Sequence, residues 1–355
     1  MIEMSPRERV STTLSIRKPD RVPKDAWWTP HTLEQFRKHT GADDPSDHYG
    51  FEHRLVRWAK TRVEYDFSSY FPEGLPPGTT VNEWGEANTP GGFYHYSIHR
   101  QPLASLRTAR ELAGYPWPDV KEDYRHAHLE AEVQRLHHRG LFAIGDLGHI
   151  GWEKAFYIRG ILNISADILD NQDFAACLLE KLCDLFCFMA RRYAEAGVDM
   201  VMLSEDVGMQ SQLMISPAMY RRWVKPRTKR VIDAARQVNP GVWIGLHCCG
   251  YVEPLIRDLI EVGVNALHPI QPESMDPLLI KQRYGGSLTL WGTVGAQSVM
   301  PFGTPEDVRR TVRENITRLG YNGGLWIAPS QALTPEVPWD NIAAFFDAVE
   351  EFGAL

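Results

Sequence analysis

From about Leu141 onward the chain alternates short apolar runs with longer amphipathic segments, which confines it to a parallel α/β fold of strands and crossover helices. The apolar runs are Phe142 to Gly145, Met200 to Leu203, Val242 to Leu246, Ala266 to Leu267, Leu288 to Trp291 and Leu325 to Ala328, each closed by a turn. Between them the 3.6-residue period predicts helices over Asp173 to Ala196, Pro217 to Gln237, Glu253 to Val262, Pro305 to Leu319 and Trp339 to Phe352, several opening on Ser, Thr or Pro. Val22 to Trp27 reads as an earlier strand behind a helix over Pro6 to Ile16. Seven strands are legible in this way. Residues from about 40 to 130 break the rhythm, and Trp84, Gly91, Gly92, Phe93, Tyr94, Tyr96 and Ile98 predict an excursion containing a β-hairpin. No linker interrupts the pattern, so residues 1–355 are expected to form one domain with this excursion over its mouth.

The chain has 355 residues, 43% of them hydrophobic, which is ample for a large core. Its formal net charge of −7 and the scattering of Lys and Arg beside Asp and Glu argue against a nucleic-acid partner. The first twenty residues carry no apolar signal-peptide core, and no later run has the length of a membrane span, so the expectation is a cytoplasmic protein away from membranes. Five cysteines in so long a chain do not make a disulfide framework. Cys177, Cys183 and Cys187 share one amphipathic helical stretch and read as small buried side chains, whereas Cys248 and Cys249 follow a strand.

In a parallel barrel the loops after the strands converge on one mouth, so the residues ending each run are where chemistry is expected. Asp146 follows Ile144; Ser204, Glu205 and Asp206 follow Leu203; His247, Cys248, Cys249 and Gly250 follow Leu246. His268 and Gln271, Thr293 and Gln297, and Ser330 and Gln331 end the later runs. The sharpest group is His247-Cys248-Cys249-Gly250. Residues two apart in extended chain point the same way, so His247 and Cys249 can offer an imidazole nitrogen and a thiolate to one ion, a combination suited to zinc. Cys248 should face the opposite way. Glu205 is read as the third metal ligand, and Glu205, Asp206 and Asp146 as the acids available for catalysis.

Several blocks together resemble the uroporphyrinogen decarboxylase superfamily. They are RERVSTTLSIRKPDRVP (residues 7–23), HCCGYVEPLIRDLIEVGVNALHPIQPESMDP (247–277), YGGSLTLWGTVGAQSVMPFGTPEDVRRTVRENI (284–316) and GGLWIAPSQALTPEVPWDNI (323–342). The resemblance implies a (β/α)8 TIM barrel, with the eighth strand supplied by the family rather than read from the residues. Its true decarboxylases bind a polycarboxylate tetrapyrrole with arginines near the first strand. Here that place reads Val22-Pro23-Lys24-Asp25-Ala26-Trp27-Trp28, without them. His247 and Cys249 fit instead the His-x-Cys-Gly zinc motif of the cobalamin-dependent methyltransferase branch.

That branch implies transfer of a methyl group between a small substrate and a corrinoid protein, with zinc as cofactor and cobalamin arriving on the partner. The coenzyme M methyltransferases carry a further zinc-binding cysteine in the late Ala-Pro block. This chain reads Ala328-Pro329-Ser330-Gln331-Ala332 there. A site of His, one Cys and a carboxylate is harder than a thiolate-rich one, which favours methoxylated, oxygen-bearing substrates. Trp27, Trp28, Tyr94, Trp291 and Phe302 are expected to wall the substrate, with His268, Gln297, Ser330 and Gln331 as its polar contacts. The alternative on the same barrel is a lyase that decarboxylates a small substrate without a corrinoid. A homodimer is compatible with either.

Overall fold

The computed structural model describes residues 3–91 and 97–355. After β1 (His53–Val56) the chain forms a separate antiparallel sheet of β2 (Thr80–Val81), β3 (Ala87–Pro90) and β4 (Ser97–Arg100). It then enters β5 (Phe142–His149), β6 (Met200–Ser204), β7 (Trp243–His247), β8 (Ala266–His268), β9 (Thr289–Trp291) and β10 (Leu325–Trp326). β1 and β5 to β10 pair in parallel as one sheet in that spatial order. Residues 22–28 lie beside β10: Ile327 N–H donates to Pro23 O at 2.9 Å, Asp25 N–H to Ile327 O at 3.1 Å, and Leu333 N–H to Trp27 O at 2.7 Å. Side chains complete the circuit to β1, with Lys24 N–H donating to Glu52 Oε2 at 3.0 Å and His53 Nε2 lying 3.7 Å from Asp25 Oδ1. The architecture is that of a TIM barrel.

The eighth strand is β1, which falls inside the span that the sequence assigns to the excursion. Its four residues, His-Arg-Leu-Val, are half polar and make no apolar run. The excursion proper begins after Val56. It packs Trp84 on Phe186 with ring centroids 5.6 Å apart, pairs Glu86 with Lys154 at 2.5 Å, and donates from Leu103 N–H to Ile158 O at 2.9 Å. With the ends of β1 and β5 it lines a cleft of about 430 Å³ that includes Arg57, Trp58, Trp84, Asp146 and His149. The tip of the expected hairpin, including Tyr94 and Tyr96, lies outside the described residues.

Period-two alternation sorts each strand into a barrel-facing and a helix-facing set. Phe142, Ile144, Met200, Met202, Ala266, Trp291 and Trp326 pack together inside, with Trp291 and Trp326 stacked at 4.2 Å. Burial of a side chain such as Phe142 or Met200 contributes roughly 1.5 to 3 kcal/mol. Val201, Leu203, Ile244, Leu246 and Leu267 face outward into the layer formed with the helices, among them Gln172–Ala196. The helix Pro6–Leu14 opens with a Ser5–Glu8 capping box and joins Val10 and Leu14 to the interior cluster. Its buried Arg9 is fastened to Asp20 by two 2.8 Å bonds and to Glu52 at 3.3 Å. Among the described residues no helix is long and apolar enough to cross a membrane.

Candidate metal centre

Strand register brings the site together. Ser204 pairs with His247, and His247 with His268, so these three occupy one row across β6, β7 and β8. They share the inward face with Met200, Met202 and Asp146, at the ends of the strands. Beyond the row, Asp206 and Cys249 continue the same parity. Donor atoms of Asp206, His247 and Cys249 all lie within 4.8 Å of one another. Cys249 Sγ is 3.1 Å from His247 Nε2, and His247 Nε2 is 4.0 Å from Asp206 Oδ1. Asp206 Oδ1 also accepts the Cys249 N–H at 2.7 Å, which pins the two loops to each other.

Burial disfavours the charged form of all three donors. It pushes the Asp206 carboxyl up to about 7, with the Glu153 charge adding, and drives the His247 imidazole down to about 4. The Cys249 thiol is raised well above its usual range by burial and then by Asp206 and Glu153. A dication among these groups would reverse each preference, because it favours thiolate, carboxylate and neutral imidazole together. One nitrogen, one sulfur and one carboxylate oxygen are a donor set that zinc accepts. Gln331, in the Ala-Pro block, donates from Nε2 to Cys249 Sγ at 3.3 Å, placing its amide at the edge of the cluster.

Glu205 is placed elsewhere. It shares the outward parity of Val201 and Leu203, is fully buried, and accepts from Glu153 N–H and Thr228 Oγ1, both at 3.2 Å, and from Trp152 N–H. These contacts make it the cap of the helix Gly151–Arg159, whose own N-cap, Ile150, offers no side-chain acceptor. Burial raises its carboxyl to about 8. The close approach requires Gly151, where a Cβ would lie 2.7 Å from the carboxylate. Cys248 likewise faces outward, fully buried, accepting Val207 N–H at 3.3 Å.

The remaining expected residues divide. Trp27 enters the mouth, its ring 5.1 Å from His247 and 4.5 Å from His268, with its indole N–H donating to Asp25 at 3.2 Å. Trp28 points away, stacked near Tyr49 and Phe346 in the outer aromatic layer. Trp291 is buried beneath His268 as floor rather than wall. Asp146 stands at the inward rim, where Arg57 Nε reaches it at 3.3 Å. Ser330 is buried and accepts Ala296 N–H at 3.0 Å, a tie between loops. Gln297 and Phe302 are exposed.

Glu153, His149 and Tyr157 have no place in the sequence reading. Glu153 Oε2 accepts from Ser204 Oγ at 2.7 Å and Asp206 N–H at 3.0 Å, and its Oε1 is 2.6 Å from His149 Nδ1. Burial opposes ionisation of Glu153, yet the His149 bond and its neighbours hold the carboxyl below its usual value. Tyr157 sets its ring 4.8 Å from that of His149, tilted by 37°. Their signal was hidden because β5 runs on through Asp146 to His149, past the point where its apolar run ends.

A family model described as Uroporphyrinogen decarboxylase (URO-D) matches residues 144–352, more than half of the chain. The chain belongs to the uroporphyrinogen decarboxylase family. Within that family it is similar to the uroporphyrinogen decarboxylase of Thermus thermophilus, 27% identical over 200 residues, 55% of this chain and 54% of that protein. The chain thus spans about half the length of that decarboxylase in the match. It is also similar to the methylcobamide:CoM methyltransferase MtbA of Methanosarcina acetivorans, 22% identical over 367 positions and 99% of both chains. A solved methyltransferase from Methanosarcina mazei superposes with a TM-score of 0.68 at 17% identity, over 99% of both chains, a likeness of fold.

Proposed function

We propose that this family member is a zinc-dependent methyltransferase that moves a methyl group between a small methoxylated substrate and a corrinoid protein. The observation that carries the reading is the convergence of Asp206, His247 and Cys249 at the strand ends. When bound, zinc supplies Lewis acidity at the substrate oxygen and the partner's corrinoid a nucleophilic cobalt, which together make an ether carbon–oxygen bond breakable. The chain's own residues hold and surround that centre. Glu153 orients Asp206 through its backbone N–H and keeps His149 at the cleft rim, where a partly exposed imidazole can take or return a proton. Trp27 gives the mouth an apolar face.

The first strand supports this reading over decarboxylation of a polycarboxylate. Lys24 points outward to Glu350, while Asp25 and Trp27 are its inward residues. The buried Asp25 carboxyl, raised to about 7 by desolvation, offers substrate carboxylates no cationic partner. Two measurements on the purified protein test the reading: zinc content, and methyl transfer from methoxylated aromatics to free cob(I)alamin followed by the cobalamin spectrum. Equimolar zinc with substrate-dependent methylcobalamin formation is the expected result. A metal-free protein that releases carbon dioxide from a small carboxylate would replace the proposal with the lyase.

A further inference from the structure

The rings of His247 and His268 meet Nδ1 to Nδ1 at 2.8 Å. Two nitrogens at that distance hold one proton between them, since two N–H groups would collide and two lone pairs would repel. The encounter is built in, because the two residues are register partners on β7 and β8 with the same inward parity. Neither ring has room to turn. Trp27 stacks on His247 and lies tilted against His268 with centroids 4.5 Å apart, and Trp291 abuts His268 edge-on at 5.0 Å. Gly292, with φ of 72°, keeps the far side of His268 clear, for a Cβ there would lie 3.0 Å from Nε2.

We propose that His268 is a positioning residue that fixes the metal-binding tautomer of His247, accepting at its own Nδ1 the proton that His247 must carry on Nδ1 to leave its Nε2 lone pair for the ion. The assignment rests on reading the Asp206, His247 and Cys249 cluster as a metal centre. Without an ion the opposite arrangement is available. His268 then donates from Nδ1, and His247 donates from Nε2 to Cys249 Sγ at 3.1 Å. Loading the centre exchanges one arrangement for the other. The Nδ1 proton passes from His268 to His247, the Nε2 proton of His247 is replaced by the ion, and His268 ends protonated on Nε2. The pair carries two protons in both states, so its charge does not change, while the thiol proton of Cys249 goes to solvent, as does that of Asp206 wherever its carboxyl is protonated.

The test compares zinc affinity, by chelator competition on the whole protein, in wild type, His268→Phe and His268→Asn. Phenylalanine keeps the ring packing and removes the acceptor; asparagine keeps an acceptor oxygen. The expected result is a loss of about 10 to 100-fold in affinity for His268→Phe, the usual effect of removing a partner behind a metal ligand, with His268→Asn restored to within a few-fold of wild type. Long-range nitrogen-15 histidine spectra of the wild type should show His247 protonated on Nδ1 and His268 on Nε2 once zinc is bound, which keeps the test decisive if His268→Phe does not fold. Equal affinity in wild type and His268→Phe, equal losses in both variants, or a zinc-loaded His268 protonated on Nδ1 would each overturn the assignment alone. A wild type that takes up no zinc would overturn the metal-centre reading and the assignment with it.

Discussion

Replacing Glu205 separates a metal ligand from a helix cap. Its carboxylate accepts three hydrogen bonds: from the N–H groups of Trp152 and Glu153 and from the Thr228 hydroxyl. Glu205→Ala leaves the N–H groups of Trp152 and Glu153 buried without partners, while the Thr228 hydroxyl keeps the Val224 carbonyl at 3.3 Å; at about 1 to 3 kcal/mol for each unsatisfied group the loss of stability should be on the order of 3 kcal/mol after partial relaxation. Against a total stability of roughly 5 to 15 kcal/mol, that is a large shift of the urea midpoint. Glu205→Gln keeps one acceptor oxygen, and the Thr228 hydroxyl can turn to accept from the new amide, so its cost should be about 1 kcal/mol. Both folded variants should still hold equimolar zinc. The assay is urea unfolding followed by circular dichroism, with zinc measured on the same preparations. A Glu205→Gln protein that unfolds like wild type but has lost its zinc would refute the assignment, and so would an undisturbed midpoint in Glu205→Ala.

Gly151→Ala should destabilise without removing zinc, by about 1 to 3 kcal/mol, since φ is 40° there and the new Cβ would press on Glu205; the urea midpoint reads it. Cys249→Ala should abolish zinc binding with little change in stability, whereas Cys248→Ala should retain zinc and lose about 1 kcal/mol with the Val207 contact. Zinc and midpoint measured on both variants would contradict the parity if the losses were equal. The Arg9 guanidinium holds Asp20 down to about 2 from 3.8. A lowered folded-state value means that its contribution, about 2 kcal/mol, is complete above pH 4 and is lost as pH falls from about 4 to about 2. The difference in stability between wild type and Asp20→Asn should therefore shrink over that window, and a constant difference would show that the pair does not titrate as the geometry requires.

How much of the barrel the sequence carried depended on burial. Runs such as Met200 to Leu203 and Val242 to Leu246 are covered on both faces, by the barrel interior and by the helices, so nearly every residue is apolar and the strand is plain. β1 escapes that logic. Its inward residue His53 is buried against Trp326, its imidazole driven down to about 3 by burial, and its outward Arg54 bonds the Phe51 carbonyl at 2.9 Å. A strand whose polar groups are satisfied by such neighbours looks like loop until the neighbours are known. The apolar run stops short of the end of β5 for the same reason, because Asp146 and His149 face the mouth rather than the core.

At the centre, the alternation that paired His247 with Cys249 also decides the carboxylate, once it is counted from the strand rather than from the end of the apolar run. Met200 and Met202 face inward, so Ser204 and Asp206 follow them and Glu205 goes with Val201 and Leu203. In this strand the two methionines join the interior cluster while Val201 and Leu203 join the layer toward the helices. The difference bears on chemistry. Asp206 has a shorter stem than Glu205, its backbone N–H is held by Glu153, and its Oδ1 is already bonded to the N–H of Cys249, so the carboxylate and the thiol are fixed to each other before any ion arrives. A donor set preorganised in this way can bind an ion without rearranging its loops.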